Sequence, residues 1–115
     1  MSRVVHFEIP ADDPERSIKF YESAFGWQFY KWEGPLEYWL ITTGPDDLPG
    51  INGGLARRED PDINVENVID VQDIDQAVKR VESNGGEIIR PKIAVPGVGW
   101  YVYFADPEGN IFGMM

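Results

Sequence analysis

Apolar and polar positions alternate along residues 4–9. Val5, Phe7 and Ile9 fall on one side, and Val4, His6 and Glu8 on the other. A period of two predicts a β-strand with one apolar face and one face carrying polar groups. From Asp13 the period lengthens. Asp13 is a helix N-cap with Pro14 at the first helical position, where a missing N–H costs nothing. Ile18, Tyr21 and Phe25 then form one helical stripe, which is expected to be buried, and Gly26 stops the helix. Three further strands are predicted at about 28–32, 38–43 and 52–57, separated by Gly34-Pro35 and by the run from Gly44 to Gly50.

The same order returns after the polar, proline-bearing stretch Glu59-Asp60-Pro61-Asp62. A strand is predicted at about 66–71. Asp73 caps a second helix, whose Ile74, Ala77, Val78 and Val81 follow the i, i+3, i+4, i+7 pattern. Asn84-Gly85-Gly86 ends it, and strands follow at about 87–90, 100–105 and 110–114. Residues 91–99 read as a loop, and Asp106-Pro107-Glu108-Gly109 as a structural turn. The helices begin sixty residues apart and share Asp, Lys, Glu, Ser and Gly at matching offsets. Two copies of one β-α-β-β-β unit, at about 3–58 and 65–115, predict a single α+β domain with half-sites contributed by each copy.

Composition narrows the classes. At 115 residues the chain is long enough for one ordinary core, and 43% hydrophobic residues with 13% aromatics mark it as globular. The net charge of −10 argues against nucleic acid and anionic membranes, which require a basic face. There is no cysteine, hence no disulfide, thiolate zinc site or cysteine nucleophile. With no leader-like start and no apolar run of membrane length, a soluble cytoplasmic protein is expected. No phosphate-binding glycine loop, serine elbow or HExxH motif is present.

The pattern resembles the vicinal oxygen chelate superfamily, which holds glyoxalase I, bleomycin- and fosfomycin-resistance proteins and extradiol dioxygenases. The residues that carry the likeness are Val5-His6-Phe7-Glu8-Ile9-Pro10, Phe20-Tyr21, Phe25-Gly26-Trp27, Val71-Gln72-Asp73-Ile74-Asp75, Gly85-Gly86 and Asp106-Pro107-Glu108-Gly109-Asn110. The resemblance implies a curved, partly open eight-stranded barrel, usually in a homodimer. It implies a divalent ion held by up to four ligands from the first and last strands of each unit. His6 and Glu66 match the two first-strand stations. The last-strand stations fall on Gly54 and Gly113, which have no side chain to donate. The family-type ligand set is therefore incomplete, no metal or cofactor is expected, and any ion present would rest on His6 and Glu66.

His6 is the only histidine, and alternation places it with Glu8 opposite the apolar stripe. It is the leading candidate for proton transfer, with Glu66 or Glu8 as its carboxylate partner. Structurally, His6 can also be a half-buried strand residue and Glu66 an exposed one, while Glu8 and Asp70, on the same strand faces, are either the general base or solvated carboxylates. Gly54 and Gly113 are expected to leave open space on the cavity floor. Trp39, Tyr101 and Tyr103 are assigned to one face of equivalent strands, and Tyr38, Trp100 and Phe104 to the other. Either set can line the cavity. Arg58 and Lys92, with Arg57, are candidates to hold an anionic group. The expected function is a glyoxalase-like protein of unassigned activity that binds a small organic molecule. The alternatives are a sequestering protein for an aromatic or cationic compound, and a metal-dependent lyase or isomerase of the glyoxalase type.

Overall fold

The computed structural model describes residues 2–115. It shows an α+β chain of two β-α-β-β-β repeats, with two helices and nine strands among the described residues. The described residues divide into two compact units, His6–Val65 and Glu66–Met115, the latter also taking in residues 2–5. No described helix is long and apolar enough to cross a membrane.

In the first unit, strand β1 (Val4–Ala11) leads into helix α1 (Pro14–Phe25), followed by β2 (Gln28–Lys31), β3 (Tyr38–Thr42) and β4 (Asn52–Arg57). The strand order is β2-β3-β4-β1, with β1 and β4 parallel and the other pairs antiparallel. Asp13 accepts the Arg16 backbone N–H at 3.2 Å, satisfying one of the donors that a helix start leaves open. Gly26 closes the helix at φ 74°, a left-handed conformation that suits a residue without Cβ. Ile9, Ala11, Ile41 and Leu55 form the buried core, and Phe7, Ile18, Tyr21, Trp27, Phe29 and Trp39 pack around it.

The second unit runs β5 (Glu66–Ile69), α2 (Ile74–Ser83), β6 (Glu87–Ile88), β7 (Ile93–Val95), β8 (Gly99–Ala105) and β9 (Ile111–Met114). Its strand order is β5-β9-β8-β6, with β5 and β9 parallel and β7 paired to β8. Asp73 caps α2 by accepting the backbone N–H groups of Asp75 and Gln76 at 3.0 and 3.1 Å. Ala77, Val102 and Met114 are the buried core, packed by Ile74, Val78, Val81, Ile88 and Phe104 among others.

Three expectations are corrected. Residues 91–99 are not a plain loop. Ile93–Val95 pairs with β8 through a tight turn in which Gly97 takes φ 77° and the Val98 N–H reaches the Val95 carbonyl at 2.9 Å. Phe25 stacks on Tyr21 of the α1 stripe at 6.4 Å between centroids but is 64% exposed rather than buried, at the edge of an aromatic group with Phe20 and Trp27. Val5, on the same side of β1 as Phe7 and Ile9, is 46% exposed and does not join their packing against the first core.

The β8–β9 turn is organised by one carboxylate. Asp106 Oδ1 accepts the backbone N–H groups of Glu108 and Asn110, both at 2.9 Å, and Oδ2 accepts the Asn110 side-chain amide at 3.0 Å. These bonds, the Asn110 side chain first, hold the Asp106 pKa below its ordinary value. A depressed carboxyl pKa contributes stability above the unfolded-state value of about 3.9, which is lost as pH falls through the folded value. Asp106→Ala is therefore expected to lower the urea midpoint at pH 7, with the difference from wild type shrinking below about pH 4. Separately, Leu55→Ala, at a site with no exposed surface, is expected to cost about 2–5 kcal/mol in urea unfolding.

Candidate functional site

Alternation along β1 sends Phe7 and Ile9 into the core and His6 and Glu8 to the opposite face. There the two side chains meet a third, Tyr38 of β3. His6 Nε2 lies 2.8 Å from Glu8 Oε1 and 3.1 Å from the Tyr38 hydroxyl, and Tyr38 donates to Glu8 Oε1 at 2.8 Å. Since the phenol proton is directed at Glu8, Nε2 carries a proton and donates to the same carboxylate oxygen. One oxygen thus receives two donors. His6 and Glu8 are about one-quarter exposed, so the cluster is held yet reachable. The Trp32 ring stands edge-on to Tyr38 with centroids 6.1 Å apart, giving the cluster an aromatic neighbour.

The position of Gly54 explains how Tyr38 reaches Glu8. Gly54 on β4 is paired with Glu8 on one side and with Leu40 on the other. Tyr38, two residues before Leu40, shares its face and lays its phenol across β4. A Cβ at Gly54 would overlap the Tyr38 hydroxyl. The space over this glycine is therefore filled, not open.

The second unit repeats the arrangement. Gly113 on β9 is paired with Val68 on one side and Tyr103 on the other. Tyr101, two residues before Tyr103, crosses the glycine, and a Cβ there would overlap its hydroxyl. Tyr101 donates to Glu66 Oε1 at 2.6 Å, with Glu66 4% and Tyr101 7% exposed. Tyr103 stands edge-on to Tyr101 at 4.9 Å and carries the Arg90 guanidinium 5.4 Å from its centroid. The expectation of open floor at Gly113 is corrected for the same reason as at Gly54.

The aromatic grouping also needs correction. Trp39 does not share a face with the equivalents of Tyr101 and Tyr103. It packs on the core side with Ile41 and Leu55, under the Lys31 ammonium at 4.6 Å. The residue equivalent to Tyr101 is Tyr38, which the sequence reading missed. The β3–β4 loop is four residues longer than the β8–β9 loop, so a constant repeat offset slips the register. Counting back from Gly54 and Gly113 across unequal loops would have found it.

Arg58 and Lys92 are engaged locally. Arg58 bonds Asp12 Oδ1, the Ile63 carbonyl and Asn64 Oδ1, each at 3.1 Å. Lys92 pairs with Asp75 at 3.1 Å and lies 4.5 Å over the Trp100 ring. Arg57 is taken by Glu37 and the Asp12 carbonyl. Asp70 is exposed.

The Glyoxalase/Bleomycin resistance protein/Dioxygenase superfamily model matches residues 3–114. The chain belongs to this superfamily. A glyoxylase-like domain-containing protein of Didymella fabae is 33% identical over 108 residues, 90% of this chain and 84% of that protein. CFP32 of Mycobacterium bovis, named as a candidate glyoxylase, is 25% identical over 114 residues, 94% of this chain but 41% of that longer protein. In structure, Streptomyces coelicolor methylmalonyl-CoA epimerase superposes with TM-score 0.69 at 14% identity, covering 97% of this chain and 94% of that one.

The superfamily implies a divalent ion, and the donor set here does not fit one. Both last-strand stations lack a side chain, and each is covered by a phenol. Among the described residues, no group of three or more His, Asp or Glu is placed to hold an ion.

Tyr38→Phe is expected to retain the fold by circular dichroism and to lower the unfolding free energy by about 0.5–1.5 kcal/mol. Tyr30→Phe, whose hydroxyl bonds the exposed Gln28 two residues away at 3.2 Å, is expected to change it less in the same urea titrations.

Proposed function

We propose that this superfamily member binds a small organic molecule at the His6–Glu8–Tyr38 cluster and moves a proton on a carbon next to a carbonyl. The mutual hydrogen bonding of a histidine, a carboxylate and a phenol on one reachable face supports the reading. Glu8 is the base that takes the carbon-bound proton, and the His6 Nε2–H and the Tyr38 hydroxyl turn to the oxygen on which negative charge develops. The proton returns from Glu8 to carbon, so the reaction is balanced without a further reactant. Isomerase chemistry follows from this step, the proton returning to the other face of the carbon or to its neighbour. The likeness to methylmalonyl-CoA epimerase supports carbon-acid substrates as a class.

The test is hydrogen exchange in D2O, followed by proton NMR with chelator present, on methylmalonyl-CoA, hydroxyacetone and pyruvate. Each carries hydrogen next to a carbonyl. Catalysed exchange of at least one is expected, falling about 100-fold or more in Glu8→Gln and His6→Ala. Exchange no faster than buffer for all three sinks the reading.

A second reading, sequestration without turnover, is favoured by the net charge of −10 and by the Trp32 ring beside Tyr38. Its signature is saturable quenching of tryptophan fluorescence by a flat aromatic cation such as acriflavine, lost in Trp32→Ala. Family likeness also supports a homodimer, which sedimentation equilibrium tests; a cytoplasmic location is proposed separately, and cell fractionation tests it.

A further inference from the structure

Two glycines in corresponding places of the two units carry the same load. Gly54 is the middle-strand residue between Glu8 and Leu40, and Gly113 is the middle-strand residue between Val68 and Tyr103. In each unit the tyrosine two residues before the glycine's antiparallel partner lies across it. In each unit that tyrosine ends on the first strand, at His6 and Glu8 in one and at Glu66 in the other. A Cβ on either glycine would meet the phenol hydroxyl first and the ring carbons next. Both glycines are buried, and neither is among the residues of positive φ. A left-handed backbone therefore does not account for them, and close approach of a side chain does.

We infer that Gly54 and Gly113 are positioning residues that seat Tyr38 and Tyr101 on the first-strand acids, and that the seated phenols close both last-strand stations to a divalent ion. A cation at Glu8 Oε1 in the first unit would displace two donors, one of them the proton on the imidazole nitrogen. A cation at Glu66 Oε1 in the second would displace the Tyr101 proton. Each phenol supplies a hydrogen-bond donor where a metal would supply charge, and a last-strand side chain has no space beside it. The inference is independent of the exchange chemistry proposed above, so either can fail alone.

The test uses the full chain with its five tyrosines replaced by 3-fluorotyrosine and assigned in 19F NMR by Tyr→Phe variants. Glu8→Gln is expected to move the Tyr38 resonance and Glu66→Gln that of Tyr101. Gly54→Ala and Gly113→Ala are expected to abolish those responses while circular dichroism remains that of the folded chain. Should either alanine variant unfold, the seat is read from rescue: Gly54→Ala is expected to fold again, by circular dichroism, in a Tyr38→Ala background, and Gly113→Ala in a Tyr101→Ala background. Calorimetric titration of the wild type with Zn²⁺ alone is expected to show no uptake of one ion per chain. Failure of that rescue, or tyrosine resonances indifferent to the acids, overturns the seat. Stoichiometric Zn²⁺ uptake lost in His6→Ala overturns the exclusion.

Discussion

A side chain cannot cross a neighbouring strand on the face that the strand's own side chain occupies. Strands stand about 4.8 Å apart, so a residue on β3 that reaches one on β1 must pass over β4. Tyr38 does so only where β4 offers Gly54, and Tyr101 reaches Glu66 only past Gly113. The polar chemistry of both units depends on this absence of Cβ. It sets which strand residue faces which, what the first-strand acids bond to, and which residue types the last strands accept.

The opposite face of each sheet is what makes the polar face affordable. Ile9, Ile41 and Leu55 in one unit, and Val102 and Met114 in the other, are buried beneath the helices. Alternation then delivers His6 and Glu8, or Glu66, to the other side with no choice in the matter. A buried carboxylate such as Glu66 is costly without a donor. Tyr101 supplies that donor at 2.6 Å, so the aromatic strand serves the acid as well as the core. The first unit solves the same problem with two donors to one oxygen, and leaves the cluster partly open to solvent.

Much of this was legible in the chain. Caps at Asp13 and Asp73 and stop signals at Gly26 and Gly85-Gly86 are local rules, and the helices obey them. The pairing of His6 with Glu8 followed from parity on one strand. The hairpin at Ile93–Val95 was missed because a three-residue apolar run beside proline and glycine carries little periodic signal, although its pairing to β8 is regular. Trp39 was placed on the wrong face because one repeat offset was carried through loops of unequal length.

Sequence alone determined both helices and every described strand but Ile93–Val95, the two-fold repetition, the superfamily likeness and the identity of the polar strand residues. The helices and strands rest on spacing within a short stretch, where backbone geometry leaves few alternatives, and the repetition and the likeness on the order in which those stretches recur. Tertiary structure alone decided what Gly54 and Gly113 are for. A glycine in a strand signifies open space or close approach equally well, and only the register of β3 on β4 and of β8 on β9 brings a phenol over each. The sites turned from vacant stations into tyrosine seats because contacts between strands far apart in sequence depend on loop lengths, which periodicity does not encode.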